Sequence, residues 1–114
     1  MLSIDTLRQF GADTRQGLAR CMNNEAFYLR LVNMGLDDPS FGRLETALRS
    51  GDRKAAFEAA HALKGVMSNL ALTPLYEPLS ELTELLRGES GADCQALLET
   101  VLKRHAALAA LREK

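Results

Sequence analysis

The chain has 114 residues, of which 46% are hydrophobic and 25% charged, and its formal net charge is −1 at pH 7. This length predicts a single domain over residues 1–114, large enough to bury a core without disulfide or metal staples. The two signs of charge are interspersed, so the sequence lacks the basic stripe that a nucleic-acid partner requires.

The sequence also argues against a membrane protein and against a cysteine-based site. No apolar run approaches the roughly 20 residues of a membrane span, and the N-terminus lacks the layout of a signal peptide. We therefore expect a cytoplasmic location. Cys21 and Cys94 lie far apart and neither belongs to a CxxC motif, which argues against zinc binding and redox chemistry. Both are expected to be reduced and partly buried.

The first third of the chain predicts short helices with polar caps. Ser3 can cap the first of them and Gly11 can end it, whereas Gly17 weakens the helix prediction for the second. Together these two segments are too short to form a domain, so we expect them to lie across one end of a helical bundle. The first two predicted ranges are 4–10 and 13–22. The third helix runs to about residue 36, and either Asn23 or Asn24 can cap it.

The rest of the chain predicts helices over 38–50, 53–70, 73–87 and 93–112. Asp37-Asp38-Pro39 is a stop and restart, although the helices on either side could also form one long kinked helix. Gly51-Asp52 ends one helix and caps the next, and Thr73-Pro74 reads as a cap with a first-turn proline. Pro78 either kinks that helix or marks its true start. The predicted fold is all-α: an antiparallel four-helix bundle with a short N-terminal capping helix.

The helix over 53–70 has one apolar face and one polar strip. At about 100° per residue, the apolar arc contains Ala56, Ala59, Ala60, Leu63, Val66, Met67 and Leu70. His61 falls almost opposite Leu63 and Leu70, so its ring is expected to face water. A solvent-exposed imidazole is largely neutral near pH 7, and the lone pair of its free nitrogen is nucleophilic.

Gly65 lies one helical turn after His61, on the same face. A glycine inside a helix costs roughly 1 kcal/mol relative to alanine, so we expect it to have a purpose. Without a side chain at Gly65, another protein's backbone or a phosphoryl group can approach the imidazole. Lys64 would place an ammonium group nearby and stabilise a phosphorylated product.

The residues His61-Ala62-Leu63-Lys64-Gly65, followed by Ser68, Asn69 and Leu70, resemble the phosphoacceptor signature of histidine-containing phosphotransfer (HPt) domains of bacterial phosphorelays. The similarity extends upstream to Leu44 and downstream to Leu86. Two positions differ from the family pattern: Met67 stands where a small residue is usual, and Ala71 where glycine is usual.

The resemblance implies that His61 relays a phosphoryl group between the aspartates of receiver domains, one in a hybrid sensor kinase and one in a response regulator. Lys64, Gly65 and Ser68 would support transfer or docking. Phe57, whose angular position on the helix is nearer His61 than Leu63, is either a residue at the edge of the core or an exposed aromatic that supports docking. The chain would be a phosphotransfer intermediate rather than an enzyme, because no ATP-binding motif is present. No cofactor is expected, since Mg²⁺ would belong to the receiver. HPt modules are usually monomeric, although the apolar pattern is also compatible with a dimer.

Two alternatives to this function are weighed against it. The polar strip of Phe57, His61 and Lys64 could dock a partner without phosphorylation. A metal site would need His61 and His105 on one side of the bundle, but His105 falls on an apolar face with Leu97, Val101 and Leu108. We therefore expect His105 to be a packed, hydrogen-bonded residue at the edge of the core and expect no metal site.

Overall fold

The computed structural model describes residues 1–88 and 94–113, and within these ranges the secondary structure is entirely helical. Seven α-helices are followed by a short 3₁₀ helix, Leu111–Glu113. The predicted cap Asp93 and the loop before it lie outside the described residues. The helices are α1 (Ile4–Phe10), α2 (Thr14–Arg20), α3 (Glu25–Leu36), α4 (Ser40–Ser50), α5 (Arg53–Asn69), α6 (Thr73–Arg87) and α7 (Gln95–Ala110).

Helices α4 to α7 form the predicted bundle. Each packs against the next, and α4 closes the bundle against α7. The connections after α4 and after α5 contain only two and three residues, which makes successive helices antiparallel neighbours. The core between them consists mainly of fully buried leucines: Leu44, Leu63, Leu75, Leu79, Leu82, Leu98 and Leu108. The all-α class and the bundle are thus confirmed.

Helices α1 to α3 cover the turn between α5 and α6. The backbone N–H of Asp13 donates to the carbonyl of Ala71 at 2.9 Å, and the buried hydroxyl of Tyr28 donates to the carbonyl of Leu70 at 2.7 Å. The Arg20 guanidinium donates to the carbonyl of Ser68. We call α1 to α3 and their connections the leader. The leader lies across one end of the bundle, as predicted, but three helices form it instead of one short helix.

The turn after α5 is closed by a left-handed residue. The Ala71 N–H donates to the Ser68 carbonyl at 3.1 Å and the Leu72 N–H to the Met67 carbonyl at 3.0 Å, which is a Schellman ending. Ala71 has φ = 57°, a conformation that costs an L-residue about 1–2 kcal/mol. This cost explains why glycine is usual at that position of the family pattern.

Two glycines of the leader make room for large side chains. A Cβ at Gly17 would lie 2.4 Å from Cζ of Tyr28, so the tyrosine ring packs directly on the backbone of α2. This contact accounts for a glycine that weakened the helix prediction. A Cβ at Gly35 would lie 2.6 Å from Cδ1 of Leu70 and 3.8 Å from Cε of Met67. The bare backbone of α3 therefore accommodates Leu70, and Met67, the other departure from the family pattern, lies at ordinary contact distance beside it.

Prolines mark the starts of α4 and α6, with small differences from the prediction. α3 and α4 are separate helices, and the Asp38 carboxylate accepts the N–H of Ser40 at 2.8 Å. Thr73, predicted as a cap, is the first residue of α6, and Leu72 precedes it. Pro78 lies inside α6 and cannot donate to the carbonyl four residues earlier.

The carbonyl that Pro78 leaves without an intrahelical donor belongs to Pro74. The Arg104 guanidinium of α7 donates to it at 2.7 Å. A side chain from the neighbouring helix therefore supplies the hydrogen bond that the proline removes, and α6 continues through Pro78 to Arg87.

Candidate functional site

Helix α5 places His61 on the outside of the bundle. The predicted apolar arc is turned inward: Ala56, Ala59, Ala60, Leu63, Met67 and Leu70 are buried and Val66 is half-buried. The Asp52 carboxylate caps the helix by accepting the N–H of Ala55 at 3.1 Å. His61 is exposed on the opposite face, as the periodicity predicted.

The His61 ring stacks on the ring of Phe57, one turn earlier. Their centroids lie 5.7 Å apart and their planes are inclined by 14°, within the range of offset aromatic stacking. Phe57 is half-buried and packs against the core. Cζ of Arg87, the last residue of α6, lies 5.7 Å from the Phe57 centroid on the face of that ring, a distance typical of a cation–π contact.

The His61 side chain is exposed to solvent. Among residues 1–88 and 94–113, none forms a hydrogen bond or an ion pair with this imidazole, and its described contact is the stack on Phe57. A nitrogen lone pair is therefore free to attack an incoming electrophile, and the other nitrogen can keep its proton.

Towards the C-terminal end of α5, the surface next to His61 consists of a glycine followed by polar side chains. A Cβ at the exposed Gly65 would meet no atom within 4 Å, so the space beside the imidazole is unobstructed. Lys64 is half-buried and forms no ion pair within the part of the chain that the structure describes. Ser68 is half-buried one turn further along. The open space at Gly65 agrees with the clearance beside His61 that the sequence predicted.

Positive charge predominates on one side of the strip. A small groove between α5 and α6 is lined by Arg53, Lys54, Phe57, Leu86 and Arg87. Arg87 is also 3.6 Å from Glu84, an exposed pair that contributes little energy. A second groove, between α4 and α5, includes Glu58 and Ala62 on its α5 side.

His105 is the only other histidine, and it is packed at the edge of the core, as predicted. Its ring stacks on Phe41 with centroids 3.7 Å apart, and its Nε2 lies 2.8 Å from the carbonyl of Leu36. Because a carbonyl only accepts, Nε2 must carry the proton. Within the described residues, no group of three or more His, Cys, Asp or Glu side chains could hold a metal ion.

Sequence reasoning missed two arginines near the strip. Arg87 was seen only as a helix end, and Arg20 was not singled out. Arg87 could have been found by counting, since Phe57 and Arg87 each lie fifteen residues from Leu72 in an antiparallel helix pair. The contact of Arg20 with Ser68 has no such signal, because it depends on how the leader packs against the bundle.

The chain was compared with protein-family models, curated proteins and solved structures. A family model described as Hpt domain matches residues 38–114. No significant match was found among curated proteins or solved structures. None of the described helices is long and apolar enough to cross a membrane.

Proposed function

The chain belongs to the Hpt domain family, and from this premise we propose that His61 accepts a phosphoryl group from one receiver domain and passes it to another. Hpt domains carry out histidine phosphotransfer in phosphorelay signalling and interact with receiver domains. The finer assignment concerns the residue and the partners: His61 is the phosphoacceptor, the donor is the receiver of a hybrid sensor kinase, and the acceptor is that of a response regulator.

The chemistry is two phosphoryl transfers in opposite directions. The lone pair of Nε2 of His61, the nitrogen that the family resemblance implies, attacks phosphorus in line. An N–P bond forms, the P–O bond of the aspartyl phosphate breaks, and its electron pair leaves with the carboxylate. In the second transfer, the carboxylate of another receiver attacks and the N–P bond breaks. Such transfers depend on positioning and charge neutralisation more than on acid–base groups.

A single observation carries the proposal: an exposed imidazole, with no hydrogen bond from the described residues, beside a glycine that leaves the approach open. Lys64 is placed one turn along from His61, where its ammonium can interact with the added phosphoryl group. Ser68 and Phe57 border the same strip and are assigned to support or docking. We propose no metal or cofactor for this chain, and Mg²⁺ would be held by the receiver.

The experiment measures phosphorylation of the chain by a phosphorylated receiver domain. The purified chain is incubated with a receiver domain phosphorylated on its aspartate, and the product is tested for acid-labile, base-stable phosphate. Because the chain has two histidines, a pair of variants assigns the site: His61→Gln should abolish labelling, and His105→Gln should retain it. Labelling of the His61→Gln variant at the wild-type level would remove the assignment.

The same experiment tests the alternative, in which the face of Phe57, His61 and Lys64 binds a partner without phosphorylation. In that case the receiver would bind wild type and the His61→Gln variant equally, and mass spectrometry under non-acidic conditions would detect no phosphorylated chain.

A further inference from the structure

The stack of three side chains at the phosphoacceptor suggests a role for Phe57 that is different from docking. We propose that Phe57 is a positioning residue that holds the His61 imidazole in one outward orientation, and that Arg87 in turn holds the Phe57 ring. This inference rests on the proposed function, because it concerns the geometry of the same transfer.

The His61 ring has few other restraints. An exposed side chain on a helix changes rotamer on the picosecond to nanosecond timescale, and no described residue forms a hydrogen bond with this ring. In-line attack requires the nitrogen to approach phosphorus along one direction. The near-parallel stack, with planes inclined by 14°, restricts the ring while leaving both nitrogens, which lie in the ring plane, uncovered.

Phe57 can restrict His61 only if its own ring is fixed, and two features fix it. It is half-buried against the core, and the Arg87 guanidinium lies over its face. The end of α6 that carries Arg87 is tied to α5 by Arg53, which donates to the carbonyls of Leu85 at 3.1 Å and Gly88 at 3.4 Å. The orientation of the imidazole is thus linked to the packing of α6 on α5.

Positioning and docking predict different kinetics. A residue that orients the nucleophile affects the transfer rate within the docked complex, whereas a residue that contacts the receiver affects the concentration at which the complex forms. The test uses a phosphorylated receiver domain that transfers its phosphoryl group to the wild-type chain. The single-turnover transfer rate is measured over a range of receiver concentrations.

Phe57→Leu keeps the apolar bulk but removes the ring. It should lower the maximal transfer rate about three- to tenfold, the effect of freeing one side chain, and leave the half-saturating receiver concentration unchanged. Phe57→Tyr should restore the rate because it restores the stack. Phe27→Leu is the matched control, since Phe27 is 45% exposed on α3, outside the stack, and should not alter the rate.

A changed half-saturating concentration with an unchanged maximal rate would overturn the proposal and make Phe57 a docking residue. Arg87 is tested in combination: Arg87→Gln should slow transfer in the wild-type chain and have no further effect in Phe57→Leu. An added loss in the double variant would show that Arg87 acts independently of Phe57.

A measurement without any phosphodonor separates this proposal from the proposed function. NMR side-chain couplings of His61 should report one dominant χ1 rotamer in the wild type and Phe57→Tyr, and averaging over rotamers in Phe57→Leu. Averaging already present in the wild type would refute positioning, even if His61 accepts phosphate. If no receiver charges the chain, the proposed function fails, while a single rotamer that depends on the Phe57 ring would still support the stack as an orienting device.

Discussion

Gly65 offers the sharpest test of the clearance that we assign to the site. The proposed changes are Gly65→Ala and Gly65→Gln. A Cβ at this position meets no atom within 4 Å, so neither substitution creates a clash within the chain. Their effect on stability should therefore follow intrinsic helix propensity, whereas their effect on transfer should follow the size of the added side chain.

The gain in stability can be estimated from the helix interior. Glycine is about 0.8–1.0 kcal/mol less favourable than alanine there, and glutamine lies a few tenths of a kcal/mol below alanine. We expect the free energy of unfolding to rise by about 0.9 kcal/mol for Gly65→Ala and about 0.5 kcal/mol for Gly65→Gln. For a chain of this size, these gains correspond to increases in Tm of about 2–5 °C.

Transfer should change in the opposite direction. The glutamine side chain lies one turn from His61 on the same face, where an approaching receiver must displace it or pack against it. A misfit of that kind costs about 1–3 kcal/mol, so transfer from a phosphorylated receiver should slow by about five- to 150-fold, and Gly65→Ala should slow it less.

Thermal unfolding and single-turnover transfer are measured on the same preparations. Gly42→Ala in α4 is the stability control, because a Cβ there also meets no atom within 4 Å. Transfer by Gly65→Gln at the wild-type rate would refute clearance as the reason for the glycine. A loss of stability would refute the assumption that the helix tolerates a side chain at this position.

Two further predictions concern the packing that supports α5 and α6. Tyr28→Phe removes the hydrogen bond to the Leu70 carbonyl and should lower the free energy of unfolding by about 1–2 kcal/mol in urea titrations at neutral pH. Burial, with smaller contributions from Cys21 and Asp13, raises the pKa of Tyr28 from 10.0 to about 12. The folded state then holds this proton more tightly than the unfolded state, so the free energy of unfolding of the wild type, relative to that of Tyr28→Phe, should fall by about 1.4 kcal/mol per pH unit between pH 10 and 12. Arg104→Met removes the donor to the Pro74 carbonyl and should lower the free energy of unfolding by about 0.5–1 kcal/mol. In a Pro78→Ala background the same change should cost almost nothing, because the helix then supplies its own N–H to that carbonyl. Equal costs in both backgrounds would contradict this account of Pro78.

The outward placement of His61 could be predicted from the sequence because α5 is long and strongly patterned. Along its 17 residues, small and apolar side chains recur on one face, and burying them leaves only one side for the histidine. The starts of helices could also be predicted. The side chains of Ser3, Asn24 and Asp52 accept backbone N–H groups, as expected of these residue types at helix caps. These are local properties, set within one or two turns of chain.

Contacts between helices could not be predicted in the same way. The hydrogen bond from Arg104 to Pro74, for example, depends on how α7 sits against α6. Pro78 shows the consequence: its local rule predicts a kink or a helix start, and only a side chain from another helix allows α6 to continue. The capping role of α3 was missed for the same reason, since it follows from the fit of its backbone against Leu70.

The leader and the matched segment act as one structure at the end of α5. The family match begins at residue 38, yet the turn that ends α5 depends on residues before it. Ala71 adopts a left-handed conformation at a cost of about 1–2 kcal/mol. Hydrogen bonds from the leader to the three carbonyls of Ser68, Leu70 and Ala71, each contributing about 0.5–1.5 kcal/mol, are enough to offset it. In this chain the leader thus supplies, through tertiary contacts, stability that glycine would otherwise supply locally.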